Sequence, residues 1–540
     1  MAIHEVLRAE REKRGEALRA LAQRVGVDPA YLSRVESGKA RASRALLCSL
    51  AGALELPEER LLALGGFLPD AWREAAERGL ELDGALATDG HGRNSAAVAE
   101  PTVQFASKQT LARLEGLSDP LVALLPAGYL ASPEINEVYE LKLALLEARL
   151  LDRHAVLERG AYFLAVDGEP TRHFKLCAGS GVQLPHDSGM RLRSFLATHQ
   201  FKTSYATHGL FPYRGKFHPQ MVKALLNVMG LRPGEVVLDP MAGSGTTAVE
   251  AALMGIDSIA VDASPFCAFL ARTKVAAMSA EIEPLAPVAK EPGALTHTFR
   301  ALGSEQGARR VRDESYVPKG MSRAAFELLA LAFLDARGYA ERSTRKSAER
   351  FFADVLAKYL ATVKRFQRVW AEIGASLGQG RVLEGDARKL SLAEESVDGV
   401  LFSPPYSFAV DYLANDASHL AYLGVDRSTL RERMVGLNAR TRADQVRAYF
   451  EDMHRVLGEA ARVLKRKRVC TLVVGSNSRQ LGAAVGADAS APEVRYGLEA
   501  RLIEIAEACG LHLELSIRRL IVGIANSMRE EHILMMRKAV

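Results

Sequence analysis

Over residues 1–70 apolar positions return at helical spacing: Leu7, then Leu18, Leu21, Ala22 and Val25, with Gly26 closing one segment and Asp28-Pro29 opening the next as N-cap and first-turn proline. The pattern predicts five short helices, with helix, tight turn, helix at their centre. Periodicity then lapses through residues 76–106, where ATDGHGRNSAAVAEP is rich in Gly, Ser, Asn and Ala and reads as a linker. Helical spacing resumes from about 107 to 160, within an accessory region 107–204, with INEVYELKLALLEARLLDRHAVLERG as the strongest amphipathic run. AYFLAVDGEPTRHFKL predicts a hairpin around Asp167-Gly168.

From residue 205 to 540 the pattern alternates between strand and helix. Val236 to Leu238 predicts a short buried strand ending at Asp239; Gly243-Ser244-Gly245 makes a turn, Thr246 opens a helix, and Ser258 to Val261 leads to Asp262. Residues 276–380 are a helical insertion, its long helices opening at N-cap serines Ser322 and Ser347. Val382-Leu383 then leads to Gly385-Asp386-Ala387, and Val397 to Phe402 forms a strand stopped by Ser403-Pro404-Pro405-Tyr406, where two prolines forbid both ladder donation and helix continuation. LHLELSI and EHILMMRK predict a final antiparallel pair. The fold class is α/β, a Rossmann-like sheet with a helical insertion, plus an all-α N-terminal domain over residues 1–75.

Composition narrows the field without choosing. At 540 residues and 48% hydrophobic, the chain can bury several ordinary cores. A net charge of +5 permits nucleic acid without demanding it. The insertion is locally basic, which fits either a solvated helix face or a surface facing nucleic acid. Five scattered cysteines with no CxxC pair suggest neither a disulfide framework nor a zinc site, and His208 and His218 lack partner ligands, so no metal is expected. The charged N-terminus and the lack of a long apolar run lead to the expectation of a cytoplasmic protein away from membranes.

The order strand, glycine turn, helix, strand, acid is that of a nucleotide-binding unit: glycines let the backbone approach a ligand, and an acid roughly twenty residues on accepts from ribose hydroxyls. Asp239-Pro240-Met241-Ala242-Gly243-Ser244-Gly245-Thr246-Thr247 taken with Ser403-Pro404-Pro405-Tyr406 resembles the S-adenosylmethionine-dependent amino-methyltransferases of DNA. Pro212-Tyr213, Asp411-Tyr412 and His419-Leu420 add to the likeness, as does Lys216-Phe217-His218-Pro219, whose helix resembles the element packed against the methionine end of the cofactor. The resemblance implies a Rossmann-like methyltransferase domain. Pro240, Ala242, Gly243, Gly245 and Thr246 would line the cofactor, Asp262 would hold its ribose, Asp386 and Ala387 would meet its adenine, and Asp239 would lie near its ammonium. Ser403 and the Pro404 carbonyl would accept the protons of an exocyclic amine, Pro405 would stiffen the turn, and Tyr406 would stack on a base flipped from a duplex.

The stretch ALAQRVGVDPAYLSRVESGKARASRALLCSLAGALEL, residues 20–56, similarly resembles the Cro/repressor type of helix-turn-helix, a likeness that covers about 65 residues. That likeness implies base contacts from Tyr31, Ser33 and Arg34 and phosphate contacts from Gln23 and Lys39. The expected substrate is duplex DNA, with an own-operon operator or a cognate restriction endonuclease as further partners. A serine at the first position of the second motif favours cytosine N4 as acceptor. Adenine N6 methylation, RNA (tRNA) base methylation and a non-enzymatic cofactor-sensing regulator remain as alternatives. Methylation at cytosine C5 needs a nucleophilic thiol, commonly after a proline, and no cysteine here follows one.

Overall fold

The computed structural model describes residues 3–40, 42–65, 67, 125–132, 135, 137–178, 204–213, 216–343, 346–405, 412–437, 441–476, 498–520 and 530–540. The 76–106 linker lies outside them. The chain divides into two compact units, Met1–Phe174 with Gln183–Thr198, and Lys175–Val182 with His199–Val540.

The first unit begins with five helices, Ile3–Lys13, Leu18–Arg24, Pro29–Glu36, Arg44–Leu54 and Glu58–Leu64. Leu21, Leu32, Leu47 and Leu50 are fully buried where their apolar faces meet. The Asp28 carboxylate caps the third helix by accepting from the Ala30 and Tyr31 amides at 2.7 and 3.0 Å, with Pro29 in the first turn. Arg11 clasps the buried Glu36 through two bonds of 2.7 Å, which ties the first helix to the third.

A three-stranded antiparallel sheet follows, built from Tyr129–Ala131, Phe163–Val166 and Glu169–Pro170. The hairpin expected at Asp167-Gly168 is present, and both turn residues have positive φ, 51° and 80°, as a two-residue hairpin turn requires. The amphipathic run that precedes this hairpin is helical in two pieces. It breaks into Val138–Leu150 and Arg153–Arg159, because Asp152 turns its carboxylate back to cap Ala155 at 2.8 Å. The first of these helices is buried nearly all round, and its inward Glu147 accepts from the Ala161 and Tyr162 amides, which satisfies a carboxylate inside the core.

The second unit is built on a seven-stranded sheet: β1 (Val236–Asp239), β2 (Asp257–Asp262), β3 (Gly380–Glu384), β4 (Val397–Phe402), β5 (Leu464–Ser476), β6 (Leu511–Leu520) and β7 (Glu530–Lys538). Their order is β3-β2-β1-β4-β5-β7-β6. The first five are parallel, while β7 runs antiparallel to both β5 and β6, as the alternation of the last segments predicted. β4 is buried along its whole length, consistent with a central parallel strand covered on both faces.

The insertion lies between the helix Pro265–Ala276, which follows β2, and β3. Its two long helices, Arg323–Arg342 and Ala348–Ile373, are capped by Ser322 and Ser347 as expected, and their Phe333, Phe352 and Tyr359 pack in one cluster with Phe266 and Leu270.

Candidate active site

From β1 the chain winds outward through β2 and β3, then returns to lay β4 on the other side of β1. That reversal separates the loops leaving β1 and β4, and the crevice so formed is where open α/β sheets bind ligands. A cleft of about 1030 Å³, its mouth included, occupies this place. Its floor comes from the strand ends: Asp239 to Ser244 after β1, Asp262 to Ser264 after β2, Ala387 after β3, and Ser403 with Pro405 after β4. Tyr213, Lys216, Phe217, Tyr412 and Asp416 contribute to the rest of the wall.

The glycine turn is held by the acid of the next strand. Asp262 accepts from the Gly243 amide at 2.8 Å through one oxygen and from the Ser264 amide at 2.8 Å through the other. Gly243 has φ of 50° and lines the cleft with bare backbone. Gly245, at φ 77°, serves packing instead, since a Cβ there would come within 2.7 Å of the Ala271 Cβ. The glycine therefore permits helix Thr246–Leu253 to press on helix Pro265–Ala276.

Three carboxyls face the cleft with their proton affinities raised. Burial pushes Asp239 up to about 7, Asp262 up to about 6 and Asp416 up to about 7, and the charge of Asp262 adds to the first and last. Asp416 accepts from the Tyr213 hydroxyl at 3.3 Å, and that hydroxyl also lies 3.3 Å from the Cys267 sulfur. Burial lowers Lys216, whose ammonium donates to the His208 carbonyl at 3.4 Å.

Ser403 ends β4 with its hydroxyl donating to the Val473 carbonyl on β5 at 2.8 Å. The single hydroxyl proton is thereby used, and what the oxygen offers the cleft is acceptor capacity. Tyr406, the expected stacking ring, lies outside the described residues.

Of the residues expected from the sequence, Lys216, Phe217, Asp239, Pro240, Ala242, Gly243, Thr246, Asp262, Ala387, Ser403 and Pro405 meet in this one cleft. His218, Pro219, Gly245, Pro404 and Asp386 are not part of its lining. His218 and Pro219 instead begin the buried helix Pro219–Val228. Asp386 is turned aside by Arg388, whose guanidinium grips both carboxylate oxygens, the shortest contact being 2.7 Å. Burial alone would raise the Asp386 carboxyl, but this arginine outweighs it and holds the group below the usual range. Tyr213, Ser264, Asp416 and Arg433 also line the cleft without having been marked as site residues. Tyr213 stood within a noted motif, whereas nothing local distinguishes Asp416.

On the first unit, Gln23, Ser33, Arg34 and Lys39 are exposed and Tyr31 is partly so, with Tyr31, Ser33 and Arg34 all on the helix Pro29–Glu36.

The residues present suit S-adenosylmethionine, a cation at sulfur and nitrogen that carries a ribose. A bare-backbone cradle at Gly243 and buried acids at the ends of β1 and β2 match that donor and charge pattern. Fold and cleft together define a Rossmann-like methyltransferase domain of the S-adenosylmethionine-dependent class.

Comparison with known proteins agrees. Residues 210–413 match the family described as RMKL-like, methyltransferase domain, and residues 5–64 match a helix-turn-helix domain. Among curated relatives, the type II methyltransferase M.BsoBI of Geobacillus stearothermophilus is 25% identical over 295 residues, covering 44% of this chain and 56% of that protein. The type II methyltransferase M.MjaII of Methanocaldococcus jannaschii is 46% identical over 68 residues, 13% of each chain. A tRNA (guanine(10)-N2)-dimethyltransferase of Methanothermobacter thermautotrophicus is 35% identical over 52 residues, 10% of this chain and 16% of that one. The chain thus spans about half the length of the first of these relatives and far less of the others. The chain carries one segment similar to a helix-turn-helix domain and another similar to a methyltransferase domain. Among the described residues no helix is long and apolar enough to cross a membrane.

Proposed function

We propose that the protein methylates the exocyclic amino group of a base in duplex DNA, with cytosine N4 the favoured acceptor and adenine N6 the alternative. The observation that carries this reading is Ser403: it lines the same cleft as Asp239 and Asp262, and its hydroxyl gives its proton to the Val473 carbonyl, which suits it to accept from an amine. An amine that donates a hydrogen to Ser403 has its lone pair aimed away from it; the Pro404 carbonyl, the second acceptor in this reading, belongs to a residue outside the cleft lining and would have to be reached from the turn. S-adenosylmethionine supplies the electrophilic methyl group.

The remaining residues bind and orient. Asp239 pairs with the cofactor ammonium, Asp262 accepts from the ribose hydroxyls, and Gly243 lets the backbone lie against the ligand. Because Arg388 occupies the Asp386 carboxylate, the adenine contact passes to Ala387, which lines the cleft. Pro405 keeps the turn rigid and Tyr406 is the stacking surface for the base. Rate then comes from orientation and exclusion of water, and no covalent enzyme intermediate is needed.

DNA as substrate is supported by the type II methyltransferase relatives and by the helix-turn-helix domain, in which Tyr31, Ser33 and Arg34 would reach base edges and Gln23 and Lys39 phosphates. That domain would serve target recognition or bind the protein's own operator, and a cognate restriction endonuclease would be the natural partner. A second reading, methylation of an RNA base, draws on the short match to a tRNA dimethyltransferase. Labelled cofactor incubated with duplex DNA, single-stranded DNA and tRNA, followed by nucleoside mass spectrometry, separates these. N4-methylcytosine in duplex DNA supports the reading; a product in tRNA alone gives the second; cofactor binding without product on any substrate turns the protein into a cofactor-sensing regulator.

A further inference from the structure

A second cavity of about 910 Å³, its open mouth included, lies beside the cofactor cleft and shares Tyr213, Tyr412 and Asp416 with it. Its far wall belongs to the insertion, through Asp335, Glu341 and Arg342 of the helix Arg323–Arg342, and its end is closed by His419.

The lining is built rather than incidental. Asp335 is 2% exposed and accepts from the Tyr359 hydroxyl at 2.8 Å, and that same hydroxyl accepts from the Phe211 amide at 2.8 Å, so two walls of the cavity are braced by one tyrosine. His419 is 7% exposed and stacks on Phe266 at 4.5 Å with its edge toward Phe211, yet its ring nitrogens have no hydrogen-bond partner among the described residues. His419 lines this cavity, so a ligand held there meets a ring with hydrogen-bonding nitrogens.

The chemistry of the lining selects the ligand. Asp335, Glu341 and Asp416 stand beside one guanidinium, Arg342, so the lining offers acceptors and little positive charge for a phosphate. Phe211, Tyr213, Tyr412 and His419 supply ring surfaces for a flat partner, and the carboxyls supply acceptors for its N–H groups.

We infer that the insertion completes the acceptor site from its inner face, and that this second cavity receives the ring of a nucleobase bearing amino hydrogens. The inference rests on the proposed transfer to a base amine and says where the body of that base is held. It moves target recognition within the insertion from the outer basic residues to Asp335 and its neighbours.

Saturation-transfer NMR on the full chain, with the cofactor cleft filled by excess S-adenosylhomocysteine, tests it with deoxycytidine, deoxyadenosine, deoxyguanosine and thymidine as probes. At least one amino-bearing nucleoside should receive transfer, with thymidine receiving less. Ser418→Trp, which fills the cavity, should reduce that transfer at least fivefold, and Asp335→Asn should reduce it about threefold. Both variants should bind S-adenosylhomocysteine within twofold of the parent; a Ser418→Trp protein that fails this check leaves the decision to Asp335→Asn. Absence of transfer to every amino-bearing nucleoside, or transfer undiminished in the variant that still binds S-adenosylhomocysteine, overturns the inference. Methyl transfer to DNA by the parent protein is scored separately, so an inactive enzyme with an intact nucleoside site refutes the proposed function and not the cavity.

Discussion

The hydroxyl of Ser403 is bonded to the carbonyl of Val473, one strand away on β5 and 2.8 Å distant. The bond fixes the side chain's rotamer from within the sheet, and it fixes the direction of hydrogen bonding as well, since an oxygen that has donated its proton can only accept toward the cleft. Ser403→Ala removes that acceptor while leaving Asp239, Asp262 and the glycine turn in place. Turnover should fall by about a hundredfold, within the range for a positioned polar group at a reacting centre. Cofactor affinity, read by calorimetry, should remain within twofold. Loss of cofactor binding in Ser403→Ala would move the acceptor amine away from this residue.

Cofactor binding should depend on pH with a defined sign. Burial raises Asp239 to about 7 and Asp262 to about 6 in the empty protein, so below those values the cleft carries protonated acids. A cofactor bearing ammonium and sulfonium charges favours the ionised forms, and its binding must expel the protons. The dissociation constant should therefore fall as pH rises from about 5.5 to 7.5, by at most about tenfold per unit for each group, and level off above about 8. Calorimetry near pH 6 in buffers of different ionisation enthalpy should record proton release. Asp239→Asn should flatten the upper part of the slope; an unchanged slope in that variant would detach Asp239 from the ammonium.

The strand ends of the second unit were legible because each is marked locally. Hydrophobic runs stop at Asp239, at Asp262 and at the Ser403-Pro404 turn, and a parallel sheet brings such ends to one edge whatever lies between. The hairpin at Asp167-Gly168 was legible for a similar reason, since only certain residues accept two successive positive φ angles. What the pattern could not reveal are contacts made across long stretches of chain or by rotamer choice. Tyr213 and Asp416 are 203 positions apart, and no local feature pairs them. The acid at Asp386 was visible, but not that Arg388 would take its carboxylate. The break before Arg153 was hidden because a continuous apolar stripe outweighed a single capping aspartate.

Gly245 carries two separable constraints. Its φ of 77° disfavours any side chain, and a Cβ would also collide with Ala271 at 2.7 Å. Gly245→Ala should cost about 2 to 3 kcal/mol, summing left-handed strain and overpacking. It should also weaken cofactor binding by displacing the turn that holds Gly243 over Asp262. Adding Ala271→Gly removes the Cβ contact but leaves the Ala271 Cα at 2.8 Å together with the strain, so the double variant should regain only a minor part of the loss. Full recovery in urea denaturation, or none, would contradict this division.

Glu250 holds the far wall of the cleft from behind. Fully buried, it accepts from the Tyr205 hydroxyl at 2.5 Å and lies 2.7 Å from the His208 ring and 3.4 Å from the Lys223 ammonium. Burial would raise its carboxyl, yet Lys223 and the bonds from His208 and Tyr205 outweigh that and hold it well below the usual range. Burial lowers His208 to about 4, so at neutral pH the ring is uncharged and Nε2 donates to the carboxylate. A carboxyl with a depressed folded value stabilises fully above its unfolded value near 4.3 and loses that contribution only as pH falls below it, so the anchor is intact at pH 7. Glu250→Gln leaves Lys223 buried without a counter-charge and should cost about 3 kcal/mol or more, seen as a lower urea midpoint. Adding Lys223→Met removes the stranded charge and should restore most of the stability. Cofactor affinity should stay weakened in both variants, because Tyr205 and His208 keep only a neutral acceptor while the segment they anchor runs on to Tyr213, Lys216 and Phe217 in the cleft wall. Affinity that recovers together with stability would make Glu250 an element of the core alone.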